Sequence, residues 1–404
     1  MGLAAWPACL IPKAVDPVSH PPLTIYLDNA ATTFPKPPEV IGEMLETYAR
    51  LGVSPGRGGY DLAIQAQDLV NEVRRQTSEF FGGDGPERVI FSYNATDALN
   101  TLIFGLVEPG CHVVSSRLEH NSVLRPLNHL RQQGVVTVDL VPFNSLGFIE
   151  PQNVAAAISS KTKLVILTHA SNVLGTIQPV DRVAEICRDR GVPLVLDVSQ
   201  SAGLIPVNMK ARHVDALAFT GHKSLFGPTG IGGIVLRRGL EVQPSRFGGT
   251  GVDSRNVTHV QEYPLRLEPG TINLLGIIGL AAGMRYIARL GQENIHHREM
   301  ALVRRLRDGL ASLDRVRLYC SENLDHHLPL LTCNVEGILA EDLSSILDGD
   351  FNIAARAGLH CAPLVHEDLG TSPAGGVRFS LGPFNGSEDI DAVLEAFRMI
   401  VTHQ

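Results

Sequence analysis

An acid and a lysine stand 26 residues apart in the middle of the chain: Asp197 in Leu194-Val195-Leu196-Asp197, and Lys223 in Phe219-Thr220-Gly221-His222-Lys223. Each follows a short apolar run, Pro193–Val198 and Asp215–Thr220, with the length and composition of a buried strand. In a parallel sheet the carboxyl ends of neighbouring strands open on one crevice, so both side chains would face one ligand. Pyridoxal phosphate needs this pair. The lysine forms the Schiff base, and the acid keeps the pyridine nitrogen protonated so that the ring draws electrons from the substrate α-carbon. Either residue alone reads as a surface lysine or a turn aspartate. Together, with Ser199-Gln200 after the acid and Gly221-His222 before the lysine, they favour the cofactor.

Three more polar clusters follow apolar runs. Ser92-Tyr93-Asn94-Ala95-Thr96-Asp97 lies between a strand and a helix, where the first backbone N–H groups, at Ala95 and Thr96, and the Thr96 hydroxyl would suit a phosphate. Asn94 or Thr96 reads equally well as a helix cap. His120, in Arg117-Leu118-Glu119-His120-Asn121-Ser122, either stacks on a pyridine ring or occupies the loop before a helix. Asn172, in His169-Ala170-Ser171-Asn172-Val173-Leu174-Gly175, either bonds a cofactor oxygen or substrate carboxylate, or serves as a turn residue. Four such clusters at successive strand ends are harder to dismiss than any one of them.

The elements that must position these residues follow from periodicity. Strands are predicted at Arg88–Phe91, His112–Ser115, Val136–Pro142, Lys163–Thr168, Leu194–Val198, Ala216–Thr220 and Ile231–Leu236. Helical patterns lie among them at Ala95–Val107, Asn121–Gln133, Pro151–Ser159 and Val180–Arg190, after an amphipathic helix at Asp61–Phe81. This alternation predicts an α/β class with a mostly parallel sheet covered on both faces. Beyond Gly270 the pattern changes to helices at Leu274–Leu290, Asn294–Leu313 and Ser387–Val401 with strands at Val316–Tyr319, Leu330–Val335 and Gly376–Leu381, which reads as a smaller α+β domain. The expected division is an extension at 1–23, a large domain at 24–273 and a small one at 274–404. The glycine-bearing polar segment Arg246–Glu268 is expected to be a loop crossing an active site or a subunit interface.

Of the 404 residues 44% are hydrophobic and 19% charged, which excludes a disordered chain, and the net charge of −8 with no long basic run points away from nucleic acid and anionic membrane. No apolar stretch reaches the roughly 18 residues of a membrane span. The first 22 residues do not resemble a secretory signal, and position 6, Trp6, breaks a myristoylation motif. Cys9, Cys111, Cys187, Cys320, Cys333 and Cys361 are scattered without a C-x-x-C pair, as free thiols in a reducing cytoplasm would be, and suggest neither a disulfide framework nor a metal site.

A family resemblance rests on four motifs in order. They are Tyr26-Leu27-Asp28-Asn29-Ala30-Ala31-Thr32-Thr33, the Asp197/Gln200 pair, Thr220-Gly221-His222-Lys223 and Arg356-Ala357-Gly358-Leu359-His360-Cys361-Ala362. From about Ile25 to Ile400 the chain resembles the cysteine desulfurases, in the class V aminotransferase group of fold-type I pyridoxal phosphate enzymes. The form around Cys361 resembles the group II enzymes. The resemblance implies roles for matching residues. Lys223 would carry pyridoxal 5'-phosphate and move the α-proton. Asp197 would pair with the pyridinium, Gln200 would bond the ring hydroxyl oxygen, and His120 would stack on the ring. Thr96, Thr220 and His222 would bind phosphate, joined by Thr271 of a neighbouring subunit in a homodimer. Arg378 would hold the substrate carboxylate; as a residue of Gly376-Val377-Arg378-Phe379-Ser380 alone it could equally be a structural ion pair in a strand. Asn29, Asn172 and Arg356 would help place the amino acid.

Cys361 would attack the sulfur of L-cysteine as a thiolate, leaving a persulfide on the enzyme and alanine as product, with His360 and Arg356 near in sequence to favour the thiolate. A lone cysteine is commonly a small buried apolar residue, but this one follows Gly358-Leu359-His360 and precedes Ala362-Pro363, a loop composition. Two departures stand out: Leu359 replaces a histidine common in group II, and Gly52–Tyr60 lacks the usual histidine. The first expectation is thus a cytoplasmic desulfurase serving a sulfur-acceptor protein, as in iron–sulfur cluster assembly. Alternatives are a lyase for L-selenocysteine or another amino-acid β-lyase, separated by dependence on Cys361, and a cofactor-fold binding scaffold without activity, disfavoured by intact Lys223, Asp197 and Arg378.

Overall fold

The computed structural model describes residues 24–402 apart from 57, 253, 254 and 322, so the predicted extension at 1–23, with its Cys9, lies outside the described residues. The described chain opens with β1 (Ile25–Tyr26) and then builds a seven-stranded sheet. Its strands are β2 (Val89–Ser92), β3 (Cys111–Ser116), β4 (Val136–Val141), β5 (Thr162–Thr168), β6 (Leu194–Asp197), β7 (Ala216–Thr220) and β8 (Gly232–Leu236). They lie in the order β2-β8-β7-β6-β5-β3-β4, and among them only β8 runs against the others. The predicted mostly parallel, doubly covered sheet is the observed one.

Runs rich in Val, Ile and Leu can sit in such a sheet because both faces are buried. Alternate residues face opposite ways. Val113, Ile166, Val195 and Ala218 meet apolar residues of the helices Ala95–Leu106 and Asn121–Gln132. Val114, Leu167, Leu196 and Phe219 meet those of Asp61–Phe80, Val180–Arg190 and Leu274–Leu290. Gly232 and Gly233 let β8 close on its neighbours: a Cβ at Gly232 would stand 2.6 Å from the Phe219 carbonyl oxygen and 2.8 Å from the Asn94 backbone. That approach fixes the turn at Asn94, which caps helix Ala95–Leu106.

The smaller unit is a four-stranded antiparallel sheet of β9 (Val316–Tyr319), β10 (Leu330–Val335), β12 (Arg356–Gly358) and β13 (Gly376–Ser380) in the order β12-β13-β10-β9. Helices Gln292–Ala311, Ala340–Phe351 and Ser387–Thr402 fill its core. The remaining strand, β11 (Ile353–Ala354), pairs in parallel with β1.

The apolar packing does not divide the chain at residue 273. Leu274, Ile277, Ile278 and Ile287 bury in the large core, so helix Leu274–Leu290 belongs there by packing. Leu27 buries in the small core, because β1 is held by β11. Helices Pro38–Leu51 and Ala340–Phe351 were not predicted. The described part of 246–268 is irregular as expected. It is fastened at its end by an ion pair between Arg74 and Glu268, whose side chains are 7% and 2% exposed, and Glu268 also accepts from the backbone N–H of Phe91.

Candidate active site

The carboxyl ends of β3, β5, β6 and β7 and the start of helix Ala95–Leu106 surround a cavity of about 310 Å³. Ala95, Thr96, His120, Asn172, Asp197, Gln200, Thr220, His222, Lys223, Arg356, Cys361 and Arg378 all line it. The topology explains the convergence. Residues that sequence separates by 50 or more positions share one edge because their strands are parallel neighbours.

Lys223 follows β7 in a short turn. Loss of water around its amine lowers its pKa to about 8, although the nearby Asp197 carboxylate pulls the other way. Asp197 Oδ1 accepts from the backbone N–H of Ser199 at 2.9 Å and from its hydroxyl, which aims the carboxylate. Gln200 Nε2 donates to the Ala30 carbonyl at 3.2 Å. His120 lies against Ser122 and within reach of the Lys223 charge. The backbone N–H of Ser122 donates to His120 Nδ1 at 3.0 Å, so that nitrogen is unprotonated and the neutral ring carries its proton on Nε2. Burial, reinforced by the charge of Lys223, lowers the His120 pKa to about 4. The Ser122 hydroxyl also contacts His120 Nδ1 at 2.8 Å and Thr96 Oγ1 at 2.7 Å, linking two predicted site residues.

One end of the cavity is rich in unused donors. Thr220 Oγ1 and His222 Nδ1 are buried without a hydrogen-bond partner among the described residues. They stand in the same wall as Ala95 and Thr96, where a helix starts and its first N–H groups lack intrahelical acceptors. Asn94 caps that helix, its Oδ1 accepting from Asp97 N at 3.0 Å. Hydroxyl, imidazole and helix-start amides form a donor set suited to a phosphate.

The opposite wall comes from the small unit. Arg378, on β13, is 2% exposed; its Nη1 donates to the Asn172 carbonyl at 3.0 Å and its Nη2 to Asp28 Oδ1 at 2.8 Å. Arg356, across the strand register from Arg378, is exposed at the cavity rim. Asn172 Nδ2 donates to the His360 carbonyl at 2.6 Å, and the Cys361 carbonyl accepts from Asn121 N at 2.7 Å. These bonds hold His360 and Cys361 at φ of 49° and 58°, a left-handed conformation that non-glycine residues seldom adopt. Cys361 is exposed, whereas Cys111, Cys187 and Cys333 are buried. Burial of the His360 ring lowers its pKa to about 2, which removes it as a base for the thiol near neutrality.

The comparisons with known proteins give the same picture. The family model for class-V aminotransferases matches residues 25–393. The chain belongs to the class-V aminotransferase family. It is 32% identical over 93% of its length to a probable cysteine desulfurase of Methanothermobacter thermautotrophicus, covering 94% of that protein. It is 33% identical over 94% of its length to a probable cysteine desulfurase of Pyrococcus abyssi, covering 96% of it. Among solved structures, an apo cysteine desulfurase from Thermococcus onnurineus NA1 superposes with a TM-score of 0.88 at 34% identity, covering 94% of this chain and 95% of that one.

One residue expected at the site of this class-V member lies elsewhere. Asn29 is a correction: its Nδ2 donates to the Ser380 carbonyl at 3.1 Å and its Oδ1 accepts from Phe34 N at 3.3 Å, so its amide holds the chain in place and does not line the cavity. Thr271 lies outside the cavity of its own chain. It lines a surface hollow of about 540 Å³ with Ser54, Pro55 and Gly56 from the Gly52–Tyr60 segment. Asp28, Glu119, Ser122 and Ser199 were not named from sequence. Glu119 is wholly buried beside the site; burial raises its pKa to about 8. Its one signal in the sequence is its place beside His120 at the end of an apolar run. A further tie binds the amino-terminal segment to the lysine loop, where the His222 carbonyl accepts from Thr33 N at 3.1 Å, Thr32 Oγ1 at 3.1 Å and Lys36 Nζ at 2.5 Å. Among the described residues no single helix is long and apolar enough to cross a membrane, and no cluster of His, Cys, Asp and Glu could hold a metal.

Proposed function

We propose that this chain is a pyridoxal 5'-phosphate-dependent cysteine desulfurase that takes sulfur from L-cysteine, releases alanine and carries the sulfur on Cys361 to an acceptor. The observation that carries the reading is the left-handed His360–Cys361 turn, which presents an exposed thiol at the rim of a cavity that also contains Lys223 and Arg378.

The residues fit the cofactor. The unpartnered Thr220 Oγ1 and His222 Nδ1, with Thr96 and the helix start at Ala95, would hold its phosphate, Asp197 its ring nitrogen, Gln200 its ring hydroxyl and Lys223 its aldehyde carbon. When bound, the group withdraws electrons from the substrate α-carbon. His120, neutral across the physiological range, presents a ring face without adding charge. Lys223, with its lowered pKa, holds and returns a proton at the α-carbon and beyond. Arg378 and Arg356 orient the carboxylate. The Cys361 thiolate attacks the substrate sulfur: an S–S bond forms, the substrate C–S bond breaks, and its electron pair stays on the carbon side, where protonation completes alanine. A homodimer in which Thr271 completes the neighbour's phosphate site accords with its outward position.

Incubation with L-cysteine followed by measurement of alanine and protein-bound persulfide tests the reading. Cys361→Ala is expected to retain cofactor and lose both products. Full alanine release from L-cysteine by that variant would refute the thiol mechanism, and turnover kept only for L-selenocysteine would favour the lyase.

A further inference from the structure

The buried Arg378 guanidinium is incompletely used. Nη1 is spent on the Asn172 carbonyl, Nη2 is spent on Asp28 Oδ1, and Nε is buried with no acceptor among the described residues. The Nε–H and one Nη2–H of an arginine point along the same edge, which is the edge that forks onto both oxygens of a carboxylate. Asp28 thus holds half of a two-donor edge, through one oxygen, on an arginine that lines the cavity.

We propose that Asp28 is a built-in carboxylate that occupies the carboxylate position of Arg378 between turnovers, and that an incoming amino acid takes this edge by displacing it. The inference rests on the reading of Arg378 as the holder of the substrate carboxylate and adds a residue that sets how selectively it does so. An aspartate in place spares the buried guanidinium a vacant, uncompensated state when no substrate is bound. It also sets a threshold. A ligand gains over Asp28 only by engaging both Nε and Nη2, which a carboxylate does with one in-line oxygen for each donor, whereas a spherical anion must share one centre between two bent bonds.

The backbone supports displacement by side-chain rotation alone. Asn29 N donates to the Ser380 carbonyl at 3.2 Å, Ala30 N to Ser380 Oγ at 2.9 Å and Thr33 N to the His222 carbonyl at 3.1 Å, so the turn after Asp28 is pinned to both units. The Asp28 side chain keeps 21% exposure, against 2% for that of Arg378, so of the two it is the partner already in contact with solvent.

Propionate, a carboxylate with neither amine nor thiol, probes this edge in the cofactor-loaded enzyme by calorimetry or by protection against heat. Asp28→Asn keeps the shape and removes the competing charge. It is expected to bind propionate about tenfold more tightly or better, since a competent state populated one-tenth of the time weakens apparent affinity tenfold. Chloride affinity is expected to rise much less. Asp28→Ser is read the same way should Asp28→Asn not fold. Propionate binding that depends on Arg378, by comparison with Arg378→Ala, but is equal or weaker in Asp28→Asn would overturn the proposal alone, and equal gains for chloride and propionate would reduce Asp28 to a nearby charge and overturn it too. Propionate binding that survives Arg378→Ala would instead overturn the parent reading of Arg378.

Discussion

Glu119→Gln isolates one buried proton. The Glu119 carboxyl sits just past the end of β3, its Oε1 accepting from Ser116 Oγ at 2.5 Å and Thr168 N at 3.0 Å, and its Oε2 has no partner among the described residues. Burial is the main reason its pKa stands at about 8, with the Asp197 carboxylate adding to the rise. The folded protein therefore keeps this proton up to about pH 8, whereas an unfolded chain releases it near pH 4.3. Between those limits the folded state binds more protons, so stability falls as pH rises, by about 1.4 kcal/mol per pH unit from this group. From pH 5 to pH 7 the loss is about 3 kcal/mol. Glutamine keeps the acceptor oxygen toward Ser116 and Thr168, places a neutral amide where the protonated oxygen was, and has nothing to titrate. Denaturation midpoints of the two proteins should nearly coincide at pH 5 and diverge toward pH 8, with the variant the more stable. An infrared band of a protonated carboxyl near neutrality should be present in the wild type and missing in the variant. A stability difference that does not change with pH, or one that favours the wild type at pH 8, would show that Glu119 is ionised in the folded protein.

Two other outcomes follow from the same residues. In protein stripped of cofactor, the rate of reloading with pyridoxal phosphate should rise with pH around a midpoint near 8, as the Lys223 amine loses its proton; Asp197→Ala should move that midpoint lower, because the carboxylate favours the charged amine, and an unmoved midpoint would separate the two residues. Glu268→Gln should destabilise the fold by about 3–5 kcal/mol, since it leaves Arg74 buried without its counter-charge; a joint replacement by apolar residues should recover most of the loss, and a single variant as stable as wild type would show that Arg74 finds another acceptor.

Much of this site was legible because chemistry and folding signals coincide at the strand ends. A Val- and Leu-rich run that stops at Asp197, and an apolar run of Ala, Leu and Phe that stops at Thr220, mark both a buried strand and the point where it meets the cavity. What escaped was set by pairing between distant segments. β1 and β11 have two residues each and β12 three, too few for any period, and they exist because neighbours complete their ladders. Helix Pro38–Leu51 did carry start and stop signals, Pro38 at its first position, Glu39 in its first turn, Arg50 in its last and Gly52 after it, and was legible though not predicted. Asn29 shows the converse error. A polar letter in a family motif suggested substrate contact, but its amide satisfies the backbone of Ser380 and Phe34.

The same long-range pairing explains why the site requires both units. Lys223, Asp197 and the phosphate-suited wall come from the large sheet, whereas Arg378, Arg356 and Cys361 come from the small unit's strands and the loop between them. Among the contacts that join the halves, three lie at the site: Arg378 to the Asn172 carbonyl, Asn172 Nδ2 to the His360 carbonyl, and Asn121 N to the Cys361 carbonyl. Each spends a polar group of the large unit on the backbone or guanidinium of the small one. The position of the Cys361 thiol relative to Lys223 is therefore fixed by hydrogen bonds between the units and by a strained turn, a geometry that, on the proposed function, a shift of about 1 Å between the units would spoil. Asn172 is the hinge of that geometry, bonding Arg378 through its backbone and the cysteine turn through its side chain, so sulfur transfer should be more sensitive to its side chain than cofactor retention is.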